Sequence, residues 1–148
     1  MMGTSRLAAG VGVADVVFND VEQALRDWLA TRLKVPVYTA TTPAGLPPAS
    51  VTITRVGGQV RDQVIDTPRL SIDCRSAARP GAAAELALKV RGLLLGDLRT
   101  TGPGLALPVY DVEEQTGPYL NPDPRNPSQS RYTLIITVTM RATTIPTL

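Results

Sequence analysis

The sequence predicts an α+β domain: an antiparallel or mixed β-sheet with two α-helices packed on one face. Three observations predict it. Residues 19–33 and 80–98 repeat apolar side chains at helical spacing, while the segments between and after them alternate apolar and polar residues with the period of a strand. Two helices among so many strands are too few for the alternating order of a parallel sheet. Finally, the alternation sorts the strands into one apolar face, suited to lie under helices, and one face rich in threonine and arginine.

Taken in order, residues 1–17 read as an arm of small residues, 18–143 as the single domain and 144–148 as a tail. In NDVEQALRDWLATRL (19–33), Asn19 and Glu22 have the spacing of a capping box, and Val21, Ala24, Leu25, Trp28, Leu29 and Leu33 share one face. VPVYTA (35–40) is a short strand that Pro36 places near an edge. VTITRVGGQVRDQVI (51–65) reads as two strands turned at Gly57-Gly58, because a two-residue primed turn needs positive φ. RLSIDCRS (69–76) is a further strand. In the second helix (80–98), Ala83, Leu86, Ala87, Val90, Leu93 and Leu94 form the apolar stripe, with Gly96 as its stop. LALPVYDVEEQ (105–115) is a strand that Pro108 assigns to an edge, TGPYLNPDPRNPSQS (116–130) a proline-rich loop, and RYTLIITVTMRAT (131–143) the closing strand.

Composition excludes several classes of chemistry. The chain has 148 residues, 43% of them apolar and 19% charged, the profile of a single globular domain. It has no histidine, which removes Ser-His-Asp and Cys-His catalysis together with His-containing zinc sites. Its single cysteine excludes an internal disulfide. All but Lys34 and Lys89 of the 15 basic residues are arginine, the cation favoured at interfacial ion pairs. A net charge of +2 gives no electrostatic footprint for nucleic acid. The apolar stretch 7–18 is broken by Asp15, so it reads as neither a signal peptide nor a membrane span.

No motif for chemistry holds together. GVG (10–12) and VGG (56–58) lack the further glycine and the context of a dinucleotide loop. Adjacent Glu113 and Glu114 on a strand point to opposite faces, which argues against a metal site with Asp111. NPDPRNP is oxygen-rich, but its prolines dictate an extended loop rather than a calcium cradle. The reading is therefore a non-enzyme with no cofactor. Cys74 shares a face with Leu70 and Ile72 and is expected to be a buried, inert thiol. The opposite face, with Arg69, Asp73, Arg75, Arg131 and Arg141, is expected to be uncovered by anything else in the chain.

In element order and texture the chain resembles the tail terminator (tail completion) proteins of long-tailed bacteriophages, particularly those of actinobacterial phages. The resemblance lies in VEQALRDWLATRL, VTITRVGG, DTPRLSIDCRS followed at once by AAAELALKVRGLLL, a GPY loop and the closing RYTLIITVTMRA, over residues 18–143. It implies a structural virion subunit that forms a homo-oligomeric ring, a hexamer in that family, at the head-proximal end of the tail tube. Such a ring stops tube polymerisation, meets the major tail protein on one side and a neck or head-completion protein on the other, and lets the genome pass without sequence-specific binding. Assembly would take place in the host cytoplasm, with no membrane partner. Under this reading Arg61, Arg69, Asp73 and Arg75 are expected at a subunit contact or the lumen. Tyr119, Arg125 and Arg131, in and beside the 116–130 loop, are expected to meet a neighbour. The alternatives are another neck component, such as a head-completion or connector protein, and a small cytoplasmic ligand-binding module.

Overall fold

Asp20, not Asn19, caps the first helix. Its carboxylate accepts the Gln23 amide at 3.1 Å, while the Asn19 side chain instead donates to the Arg141 carbonyl. The capping interaction therefore sits one residue later than the Asn19–Glu22 spacing predicts. The computed structural model of the chain describes residues 16–39, 45, 47–99 and 109–144. Helix α1 (Val21–Ala30) buries Val21, Leu25, Trp28 and Leu29, the stripe read from the sequence. Arg32 lies over the Trp28 ring at 3.9 Å from its centroid and reaches Asp97 at 3.1 Å, tying the helix end to the second helical segment.

The strands are β1 (Val16–Val17), β2 (Val37–Thr39), β3 (Ala49–Arg61), β4 (Ile65–Ser76), β5 (Val109–Leu120), β6 (Ser130–Arg141) and β7 (Thr143–Thr144). Five of them form one mixed sheet in the order β2-β3-β4-β6-β5, in which only β2 and β3 run parallel. The edge positions of β2 and β5 agree with the sequence reading, although Pro108, the residue that suggested it for β5, lies outside the described residues. β1 pairs with β7, so the chain near both ends of the described span forms a small second ladder.

Three boundaries differ from the sequence reading. The hairpin does not turn at Gly57-Gly58: β3 runs through both glycines, and the turn is made at Asp62 and Gln63, each with positive φ. The glycines instead accompany a register shift between Arg55 and Gly57. What reads as three short strands is thus one hairpin of 13- and 12-residue strands, roughly 40 Å long at the usual rise per residue. The second helix, α2 (Ala82–Gly92), does not stop at Gly96 but continues as a π-helical segment over Leu93–Leu98. β5 extends through Thr116–Leu120, which shortens the expected 116–130 loop to 121–129.

Gly58 is the glycine that the fold requires. Its φ is +92°, and a Cβ there would lie 2.0 Å from the Thr67 carbonyl oxygen and 2.8 Å from the Arg69 nitrogen, both backbone atoms with no side-chain freedom to yield. Gly58→Ala is therefore expected to unzip the hairpin beyond Arg55. Hydrogen exchange checks this: amides at 59–69 should lose protection while those of β6 keep theirs.

Both helices cover the same sheet face. Leu25, Leu29, Val51, Ile53, Leu70, Ile72, Cys74, Ala87, Val90, Leu94, Leu134 and Ile136 are buried between them. The alternation of β4 thus places its apolar residues under the helices, as the sequence predicts, and sends Arg69, Ser71, Asp73 and Arg75 to the other side.

Candidate functional site

The second sheet face is built row by row from the strand register. Ser50, Arg75 and Arg131 form one row; Thr52, Asp73, Thr133 and Tyr119 the next; then Thr54, Ser71, Ile135 and Thr116. Arg69, Thr137 and Glu113 follow, and Arg61, Ile65 and Arg141 end the series at the hairpin tip. Directly opposed residues share a face in an antiparallel sheet, so these rows define one surface.

The two ends of that surface differ. At the first, the 121–129 loop folds back across the strands, which corrects the expectation that nothing in the chain covers this face. Arg75 donates to Asp123 at 2.8 Å, with both side chains nearly withdrawn from solvent (8% and 12% exposed). Asn121 donates to the Thr133 hydroxyl at 3.1 Å, which donates to Asp73 at 2.6 Å. Arg131 donates to the Asn121 carbonyl at 2.7 Å, and Gln129 ties the loop to the Pro47 carbonyl at 2.6 Å. Ser50, Thr52, Arg75 and Thr133, all on this face, are buried. Arg75 is consequently an internal residue and is not available to a neighbour. Asp73 and Arg131 are half-buried and engaged within the chain.

Asp123 organises this end. The Asn126 side chain, the Arg125 amide and the Arg75 guanidinium all donate to it, and these contacts hold its carboxyl well below the usual carboxylate range. A carboxyl depressed in the folded state stabilises the fold fully above its unfolded pKa of about 4, and that contribution is lost as pH falls toward the folded value. Acid unfolding below about pH 4 should therefore be shallower in Asp123→Asn than in the wild type, with the variant already less stable at pH 7. Circular dichroism across pH 2–7 reads both.

At the far end the surface is open. Arg69 is exposed, and Arg61 at the tip is 62% exposed and 3.9 Å from the carboxylate of its neighbour Asp62. Val56 and Val60, also on this arm, are about half exposed. On the helix side of the arm Arg55 grips Asp66 through two bonds of 3.0 and 3.1 Å, and this pairing braces the arm where it leaves the core.

The β5 edge has the opposite charge. Asp111 meets Arg99 at 3.2 Å, and Glu114 is held on both oxygens by Arg91 of α2, which lowers its pKa. Glu113 points to the open face and is exposed, as adjacent carboxylates on a strand must diverge. A shallow depression of about 330 Å³ beside this edge is lined by Leu95, Arg99, Val112, Glu113, Glu114 and Gln115.

The seven residues singled out from the sequence therefore do not make one patch. Arg61 and Arg69 lie at the open end, Asp73, Arg75 and Arg131 under the loop, and Tyr119 and Arg125 exposed near it. Sequence reasoning missed the role of Asp123 as the loop's anchor. The signal was there: an aspartate two residues before an amide it can accept from, in a proline-framed turn. Cys74 is fully buried, and burial pushes its thiol pKa up. Among the described residues no three His, Cys, Asp or Glu side chains are gathered as metal ligands, and no helix is long and apolar enough to cross a membrane.

These features define a class: an α+β fold whose polar chemistry, among the described residues, is that of ion pairs, a loop clamp and charged strands. No protein-family model matches the chain, and no curated protein matches it.

Proposed function

We propose that the protein is a structural subunit of a phage tail terminator ring, which caps the head-proximal end of the tail tube and joins it to the neck. One observation supports this reading most. The sheet is covered by helices on one face only, and two stretches without a strand partner among the described residues flank it, the β3 arm beyond β2 with Arg55 and Arg61 and the outer edge of β5 with Asp111, Glu113 and Glu114. A heterologous ring needs two different complementary patches on every subunit, and such a sheet supplies them. The element order of the resemblance, helix, hairpin, helix and closing strand, points the same way.

In this role the chain binds no cofactor and performs no catalysis. Its partners are further copies of itself, the major tail protein and a neck protein. Its place is the virion, reached by assembly in the host cytoplasm. The helix-covered face gives each subunit a rigid body, at one end of which β5 presents Tyr119 and the clamped 121–129 loop presents Arg125.

Light scattering on purified protein and on material released from virions tests the oligomer. A discrete closed oligomer in the virion material is expected, and monomer alone in both samples would remove the ring. Cosedimentation with isolated tails, independent of heads, is the companion result expected of a terminator.

A further inference from the structure

We infer that copies of this chain join through main-chain pairing between two particular edges: residues 54–61 of β3 in one copy and the free edge of β5 in the next. This rests on the ring reading and assigns the contact within it.

The argument begins with what is unpaired. β2 covers β3 only where Val37–Thr39 meet Val51–Ile53, so beyond Ile53 the outer edge of β3 has no strand partner among the described residues. β5 pairs with β6 on one side and with no described strand on the other. An exposed strand edge is a template for another strand unless something blocks it.

Charge then selects which edges meet. The 54–61 arm carries Arg55 and Arg61 and no acid, whereas β5 carries Asp111, Glu113 and Glu114 and no base. Two arms brought together would oppose arginines, and two β5 edges would oppose carboxylates. Only the unlike pairing is attractive, so the contact is head-to-tail. Arg55 is engaged by Asp66, Asp111 by Arg99 and Glu114 by Arg91, whereas Arg61 holds its neighbour Asp62 at a long 3.9 Å on an exposed tip and Glu113 is exposed, so these two are the charges best placed to meet a neighbouring copy.

Direction and register follow from the sheet. β3, β4, β6 and β5 alternate in direction, so β3 and β5 run oppositely within one copy. Rotation about a ring axis preserves each strand's direction relative to that axis, so the β5–β3 junction between copies is antiparallel. Setting Arg61 opposite Glu113 lays the arm along the C-terminal half of β5, where both strands carry register shifts, at Arg55/Gly57 in the arm and at Glu114/Thr116 and Thr116/Tyr119 in β5. Both Arg61 and Glu113 lie on the open face, as cross-strand partners must.

Sedimentation velocity at low salt over a concentration series, with virion-derived material alongside, tests this. Arg61→Glu and Glu113→Arg are each expected to weaken self-association about tenfold or more, and the double variant R61E/E113R to restore it. Both sites are exposed, so the fold should be unaffected, and circular dichroism checks that. Separately, Arg61→Cys with Glu113→Cys should give a ladder of disulfide-linked copies on oxidation, because the one native thiol is buried. Wild-type oligomers that persist unchanged in both single variants, with no ladder from the cysteine pair, would overturn the edge pairing and leave the ring. A wild-type chain that is monomeric in solution and on particles would overturn both.

Discussion

Ile72→Ala is expected to lower the unfolding free energy by about 3–4 kcal/mol, within the range for deleting a large aliphatic side chain from a tight core. Ile72 sits in the middle of β4, the central strand, and its register partners are Ile53 on β3 and Leu134 on β6. All three are fully buried, so the row forms a continuous apolar floor beneath the helices. The neighbours are held by sheet hydrogen bonds on both sides and cannot collapse into the space left behind, which places the cost toward the upper part of the range. For a chain of this size the midpoint of thermal unfolding should fall by roughly 10 °C. Leu88→Ala on the exposed side of α2 is the control: Leu88 is 56% exposed, and its loss should change stability by less than about 0.5 kcal/mol. Chemical denaturation of the three proteins measures the contrast.

Arg75→Ala is expected to cost about 3 kcal/mol, far more than the loss of a surface pair. The substitution strands the Asp123 carboxylate in a nearly closed position, where Arg131 at 3.7 Å is a poorer partner than Arg75 at 2.8 Å. The value stays near the low end for buried pairs because only one nitrogen of Arg75 bonds the carboxylate, its Nε having no hydrogen-bond partner. Releasing Asp123 also frees the 121–129 loop from the sheet face. Proteolysis at the loop should therefore accelerate in step with the loss of stability. Arg79→Ala provides the comparison: Arg79 and Glu85 form an ion pair with both side chains about 60% exposed, and its removal should cost under about 1 kcal/mol.

The layer arrangement of the fold was legible in the sequence because periodicity is a property of local residues. The stripe from Val21 to Leu33 and the alternation of Leu70, Ile72 and Cys74 state which side is buried without any knowledge of what buries it. The hairpin turn was not legible, for a definite reason. Gly57-Gly58 and Asp62-Gln63 both satisfy the backbone demand for positive φ, and propensity favours the glycines. The chain resolves the choice through pairing: turning at Asp62 lets β4 match β3 down to Ala49. Register is a long-range quantity, and no local signal reports it.

The candidate surface divides in the same way. That Arg69 and Asp73 face away from the core follows from parity alone. That Arg75 is buried depends on Asp123, 48 residues further on, folding back to meet it. Parity gives the side of a sheet and is silent about what crosses it. The opposite charges of the β3 arm and the β5 edge were present as residue types, but they became opposite edges of one sheet only once the strand order was known.

Electron microscopy of particles made with the gene disrupted tests the central proposal most directly. A terminator predicts tail tubes of uncontrolled length, with heads filled but unattached, and complementation by the wild-type chain restores a single length. Tails of normal, uniform length in the disrupted strain would contradict the account, because some other component would then be stopping the tube.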